Sequence, residues 1–244
     1  MATTKKVELV EIKPIEEAIV PVRVIGDSPL VMHAWDAKAK RKILAKELGL
    51  TVTKKDEAKN PVADFVSSMY WLTPMPTEFT DEVVDEALKT ARFGFPVSGF
   101  KMAGISAAYR MGWSKDKASL RGAFFIEPDA EGYYAGDLQI NSTRTRVDII
   151  PNVYHYNQMV EIKSDGPIMR MDMVTVGMGA ADIRYRGEFR NWHCDMKIRY
   201  NTNGDKTLDQ IINILNAGGY CCGVGEMRPE RDGQYGMYHV ELVK

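Results

Sequence analysis

The C-terminal arm "KTLDQIINILNAGGYCCGVGEMRPERDGQYGMYHVELV" does most to constrain the fold. Leu208, Ile211, Ile212 and Leu215 recur at helical spacing, so this segment begins as an amphipathic helix. Gly218 or Gly219 then offers a left-handed cap, Asp232-Gly233 a turn, and "GMYHVELV" a last strand.

The other end starts with a strand. Ile19, Val20, Val22, Val24 and Ile25 are β-rich, and Gly26-Asp27-Ser28-Pro29 ends the run. "AWDAKAKRKILAKELGL" reads as a helix closed by Gly49 and is the most basic segment of the chain. Residues 51–80 read as a surface excursion with a short helix near Val62–Met69. "DEVVDEALKTARFG" opens on acid, ends on Lys and Arg, and predicts a helix that stops at Gly94. In "PVSGFKMAGISAAYRMGW", Met102, Ile105, Ala108 and Tyr109 share helical spacing, and "RGAFFIEP" predicts a short buried strand.

Further on, extended segments flank "NSTRTR". Met169, Met171 and Met173 alternate with Arg170 and Asp172, a period-2 pattern that points to a strand with its methionines on a core face or in a subunit contact. "RGEFRNWHCDMKIRYN" alternates as well, with Trp192, Cys194, Met196 and Ile198 on one side.

The outline is βαββαβ: an α+β, ferredoxin-like (RRM-like) core over about 17–33, 94–127 and 182–244. Insertions fill about 34–93, after the first strand, and 128–181, a β-rich central excursion. The 244 residues are read as one elaborated domain.

With 45% hydrophobic and 27% charged residues, the composition is that of an ordinary globular chain. The formal charge of −1 excludes a global basic field, so a nucleic-acid partner needs a local basic strip. The N-terminal residues lack the apolar core of a signal peptide, and no run approaches the roughly 18 apolar residues of a membrane span. Three cysteines, Cys194, Cys221 and Cys222, make a poor disulfide framework. The expectation is a cytoplasmic protein with no membrane partner.

The glycine-rich stretch has two readings. One is a helix cap followed by a loop and a turn. The other adds function: Gly223 and Gly225 let the backbone approach a bulky partner, while Arg228 and Arg231 flank Pro229 and offer two guanidinium forks for phosphate. It is not a Walker loop, since it follows a helix and lacks G-K-[ST].

The pattern helix, Gly-Gly, GxGxxRPxRxGxYG, strand resembles the glycine-rich loop of the RAMP (repeat-associated mysterious protein) superfamily. "VRVIGDSPLVMHAW" and "GFPVSGFKMAGISAAYRMG" are similar to the first strand and first helix of its backbone-type members. Those members are RNA-binding subunits of CRISPR effector complexes, and the layout is closest to theirs and to that of phage-encoded relatives. The resemblance is carried by about residues 205–244 and extends to 18–33 and 94–127; Cys221-Cys222 departs from the small or apolar residues usual there. It implies that Gly223, Gly225, Arg228 and Gly233 are loop elements that contact or support a bound strand.

Single strands need cations along the phosphates and flat side chains under the bases. The candidate nucleic-acid-binding residues are Lys38, Lys40, Arg41, Lys42, Lys101, Arg110, Arg144, Arg146, Gly223, Gly225, Arg228 and Arg231, with Lys46 and the group Arg184, Arg186 and Arg190 beside them. Lys101 falls at a helix N-terminus, where phosphate is favoured. Trp35, Tyr70, Trp71, Phe100, Tyr109, Trp113, Tyr154 and Tyr156 are the interleaved aromatics. Against this, a Lys-rich helix face is ordinarily only solvated and spaced aromatics are ordinarily core.

The combined reading is a non-catalytic, largely sequence-independent single-stranded RNA or DNA binder that forms a homo-oligomer along the strand. A structural self-assembling subunit without nucleic acid is an alternative. So is a metal-independent endoribonuclease using His33, since some RAMP relatives place a histidine comparably; the bland reading of His33 is structural. "WHCD" and the cysteine pair lack metal-ligand spacing, so no metal, cofactor or small-molecule substrate is expected.

Overall fold

The computed structural model describes residues 14–35, 43, 45–49, 58–132, 138–141, 146–149, 156–176 and 179–243. In chain order the elements are β1 (Glu17–Gly26), β2 (Leu30–Val31), α1 (Pro61–Ser67), α2 (Asp81–Leu88), β3 (Phe93–Pro96) and α3 (Val97–Arg110). Next come α4 (Ala118–Arg121), β4 (Phe124–Glu127), β5 (Ala130–Gly132), β6 (Leu138–Asn141), β7 (Arg146–Ile149) and β8 (Tyr156–Ile162). The chain continues through β9 (Pro167–Val176), β10 (Ala180–Phe189), β11 (His193–Asn201), α5 (Leu208–Cys221) and β12 (Tyr238–Leu242). The protein is α+β with antiparallel sheets, as its periodicities predict.

The four-stranded sheet runs β12-β1-β11-β4, every neighbour antiparallel. Alternation decides its faces. Val22 and Val24 of β1, Cys194, Met196 and Ile198 of β11, Phe124 and Ile126 of β4, and Tyr238 and Val240 of β12 are buried in one core cluster with α3 and α5. Phe100 of α3 fixes the layer, with its ring centroid 5.4 Å from that of Tyr238 and 6.4 Å from that of Trp192. The opposite face carries Arg23, Asp195, Arg199 and Phe125, and β4 therefore buries only one of its two faces.

The described residues form three smaller sheets as well: β2-β10-β9, β3-β8-β5 and the β6-β7 pair. The alternating run predicted through "RGEFRNWHCDMKIRYN" divides. β10 ends at Phe189, Asn191 takes φ 48°, and β11 begins at His193 in a different sheet.

Helix starts are set by local bonds that the sequence reading did not name: Thr207 caps α5 through a capping box with Gln210, Thr80 caps α2, and Asn60 caps α1 just before Pro61. The stops expected at glycine fail where a tertiary neighbour decides. α2 ends at Leu88, and Gly94 lies inside β3, paired with β8. α5 passes straight through Gly218 and Gly219, the expected cap. A β-carbon on Gly218 would stand 2.6 Å from the Gly104 nitrogen of α3, so the two helix backbones touch there. The helix stops instead at Gly223, which takes φ 64° and donates to the Gly218 carbonyl at 2.9 Å. On α3, Phe100, Ala103, Ile105, Ala107 and Ala108 form the buried face while Met102 and Tyr109 point to solvent. Met169, Met171 and Met173 likewise face outward, and Arg170 and Asp172 face inward.

Candidate nucleic-acid interface

The loop between Gly223 and Gly236 is a rigid plug. Gly223, Gly225, Met227, Asp232 and Gly236 all have φ between 52° and 77°, so the chain reverses repeatedly in a short span. Backbone bonds nail it to the turn after β1. Glu226 N donates to Val31 O at 2.9 Å, Gly236 N to Pro29 O at 2.8 Å, and Val224 N to Gly236 O at 2.9 Å. Gly225 packs so closely on β2 that a β-carbon would lie 2.5 Å from the Val31 carbonyl oxygen.

The arginines of the loop divide. Arg228 turns inward: its Nη1 donates to Gly225 O at 2.9 Å and its Nη2 to Glu230 Oε2 at 3.1 Å. Arg110, from the last turn of α3, donates to Glu230 Oε1 at 2.8 Å. Glu230 thus joins two of the cations proposed for phosphate, and both are partnered within the protein. Arg231 donates its backbone N–H to Arg228 O at 2.8 Å, and its exposed side chain makes no hydrogen bond or ion pair with the described residues. Cys222 is fully buried at the end of α5, where burial and then Glu230 push its thiol up, so it packs as a small apolar group.

Beside the loop is a second charged network. Arg186 of β10 is buried, 3.4 Å from Asp172 and 3.6 Å from Glu226, and its Nε has no hydrogen-bond partner among the described residues. Arg170 donates to Asp172 at 2.7 Å and to Glu188 at 2.8 Å, and its guanidinium lies 4.4 Å from the Tyr235 ring centroid. Arg190 donates to Glu188 at 2.7 Å while remaining largely exposed. Burial pushes the Glu188 carboxyl up, but the hydrogen bonds from Arg170 and Arg190 prevail and hold it below the usual range.

His33 sits at the rim. Met32 and Ala34 are buried, so the extended segment after β2 turns both His33 and Trp35 outward. Two bonds hold that segment in place: Met32 N to Gly187 O at 2.9 Å and Ala34 N to Ser68 O at 2.7 Å. His33 Nδ1 is 3.4 Å from Glu226 Oε1. The His33 hydrogen bond, opposed by burial and helped by Arg186 and Arg228, holds Glu226 below the usual glutamate range.

The remaining predicted residues fall elsewhere. Lys101 donates to Arg121 O at 2.7 Å and lies 4.3 Å from the Phe125 ring centroid; burial, then Arg199, lowers its affinity for its proton. Arg146 is in β7, whose side chains are not among those described; Lys38, Lys40, Arg41, Lys42 and Arg144 lie outside the described residues, as do His155 and Tyr154. Lys46 is exposed on a short helical stretch over 45–47. Trp71 and Phe100 are core.

The structure therefore sets His33 against Glu226 of the loop, with Trp35 exposed two residues on, and leaves Arg190 and Arg231 exposed, while Arg110 and Arg228 brace the loop from within. The sequence reading missed the acidic partners Glu226, Glu230, Asp172 and Glu188. Two of them stand in "GEMRPER", where alternating sign is the signal for internal pairing.

Two other concavities exist. One, of about 620 Å³, runs between Trp113 and Tyr220 along α5; the other, of about 390 Å³, lies beside Arg23 and His193. Among the described residues no cluster of three His, Cys, Asp or Glu could hold a metal ion, and no helix is long and apolar enough to cross a membrane. Scans of the chain against protein-family models and against curated proteins each returned no match.

Proposed function

We propose that the protein is a non-catalytic, largely sequence-independent binder of single-stranded RNA or DNA that self-associates along the strand. The observation that carries this reading is the outward pair His33 and Trp35 beside the glycine-rich plug. There an exposed indole for base stacking stands two residues from His33, which meets Glu226 of the loop, and Arg190 and Arg231 are further exposed cations. The order β12-β1-β11-β4, with α3 following β1 and α5 leading into β12, supports reading the core as a ferredoxin-like βαββαβ unit. It also supports the kinship with RAMP proteins inferred from the loop.

Fluorescence anisotropy with a labelled single strand at two salt concentrations tests the reading. Binding that weakens steeply with salt is expected. No binding at low salt sinks it.

One observation favours a second reading, metal-independent RNA cleavage. The Glu226 carboxylate can orient His33 as a general base, and Arg186 lies behind that carboxylate. Labelled RNA on a denaturing gel, native against His33→Ala, separates the two: cleavage lost only in the variant establishes the ribonuclease, and intact RNA in both removes it.

A further inference from the structure

β9 is the edge of its sheet. One side pairs with β10 along all ten residues, and among the described residues no strand pairs with the other. Native edges are usually short, bulged or guarded by charge or Pro. This one is long, neutralises Arg170 against Asp172 at 2.7 Å and exposes methionines: Met171 is 62% and Met173 80% exposed.

The residues along it, Met169-Arg170-Met171-Asp172-Met173, read alike in both directions apart from a reversal of charge. Two copies related by a two-fold axis through Met171 can pair antiparallel, residue 171 facing its own counterpart. Arg170 of one copy then faces Asp172 of the other, twice, and Met169 faces Met173 twice. Shifting the axis to residue 170 sets Arg170 against Arg170, and shifting it to 172 sets Asp172 against Asp172. Only the same-face registers are available, because a one-residue slip in pairing turns every side chain to the other face. Charge complementarity thus selects a single register out of the three centred on this stretch.

We infer that β9 is a homodimerisation edge at which a second copy of this chain adds its own β9 antiparallel, with the two-fold axis at Met171. The contact joins two three-stranded sheets into one of six strands, β2-β10-β9 followed by its mirror order. It is an isologous interface, closed by symmetry. It goes beyond the function proposed above: a closed dimer does not by itself extend along a strand, and strand binding is not needed for it.

Residues facing each other in an antiparallel pair have Cα atoms about 4.5–5.5 Å apart, within the range a disulfide spans. In nucleic-acid-free full-length protein, mild oxidation of Met171→Cys is expected to give a covalent dimer on a non-reducing gel. Met169→Cys or Met173→Cys alone is expected to give little, and a mixture of the two to give a crosslinked heterodimer. The native chain, with Cys194 and Cys222 buried and Cys221 half-buried, is the control, and Cys221→Ser in every chain removes any crosslink through that thiol. Sedimentation of the native chain should show a dimer.

A native monomer throughout the micromolar range overturns the inference, and so does crosslinking that is equal at all three positions or strongest at 169 or 173. A protein that binds a strand without the 171 crosslink loses the dimer and keeps the binding function. One that crosslinks at 171 and binds no strand keeps the dimer and loses the function.

Discussion

Arg110, at the end of α3, donates to Glu230 in the glycine-rich loop at 2.8 Å, so the first core helix and the loop after the second are bound by one charged hydrogen bond. Arg228 shares the same carboxylate. Glu230→Ala should leave two guanidinium groups without their partner and loosen the loop. The pair is partly exposed, so a cost of about 1 kcal/mol is expected. Urea unfolding measures that cost, and faster amide exchange over 224–236 would place the change in the loop.

The contact between Gly218 and Gly104 has a sharper consequence. A methyl group on residue 218 meets backbone, 2.6 Å from Gly104 N and 2.7 Å from its Cα; one on residue 104 meets Ile214 at 3.1 Å or more. Gly218→Ala should destabilise by about 2–3 kcal/mol despite the better helix propensity of alanine, and Gly104→Ala by clearly less. Equal shifts in the unfolding midpoints would refute the close crossing.

Acid should weaken the loop. Glu226 and Glu188 both have folded-state values below the ordinary glutamate value of 4.5, through the His33 hydrogen bond in one case and through Arg170 and Arg190, against burial, in the other. A depressed carboxyl binds its proton more readily in the unfolded chain. Its contribution is therefore present above the unfolded value and is lost as pH falls below about 4.5 toward the folded value. Unfolding measured from pH 6 to about pH 3 should show that decline. Glu226→Gln should flatten it, and an unchanged slope in that variant would count against the linkage.

Trp35→Ala should weaken single-strand binding about tenfold, the worth of one stacked base, while changing stability little because the indole is exposed. Arg231→Ala should lower the salt dependence by about one phosphate contact. Arg228→Ala should instead act mainly on stability, since its guanidinium is held by Glu230 and the Gly225 carbonyl. Titration of the three variants at two salt concentrations distinguishes these outcomes.

Periodicity was readable in the amino-acid order itself. The apolar spacing of α5, the β-rich run of β1 and the alternation within β11 depend on neighbours a few residues away, and a helix and two strands form there. The α+β class follows from them. What the order of residues left open depends on contacts between distant segments. Gly218 and Gly219 look like a cap, yet a glycine tolerates a helix interior when another backbone must come close, and only α3 shows that it does. Met169, Met171 and Met173 have the alternation of a core face. Their outward direction was decided by the buried partners Glu188 and Arg186, which draw Arg170 and Asp172 inward. Arg110 and Arg228 look like free phosphate forks until the folded loop brings Glu230 between them, because a charge becomes available or committed only when its neighbours in space are known.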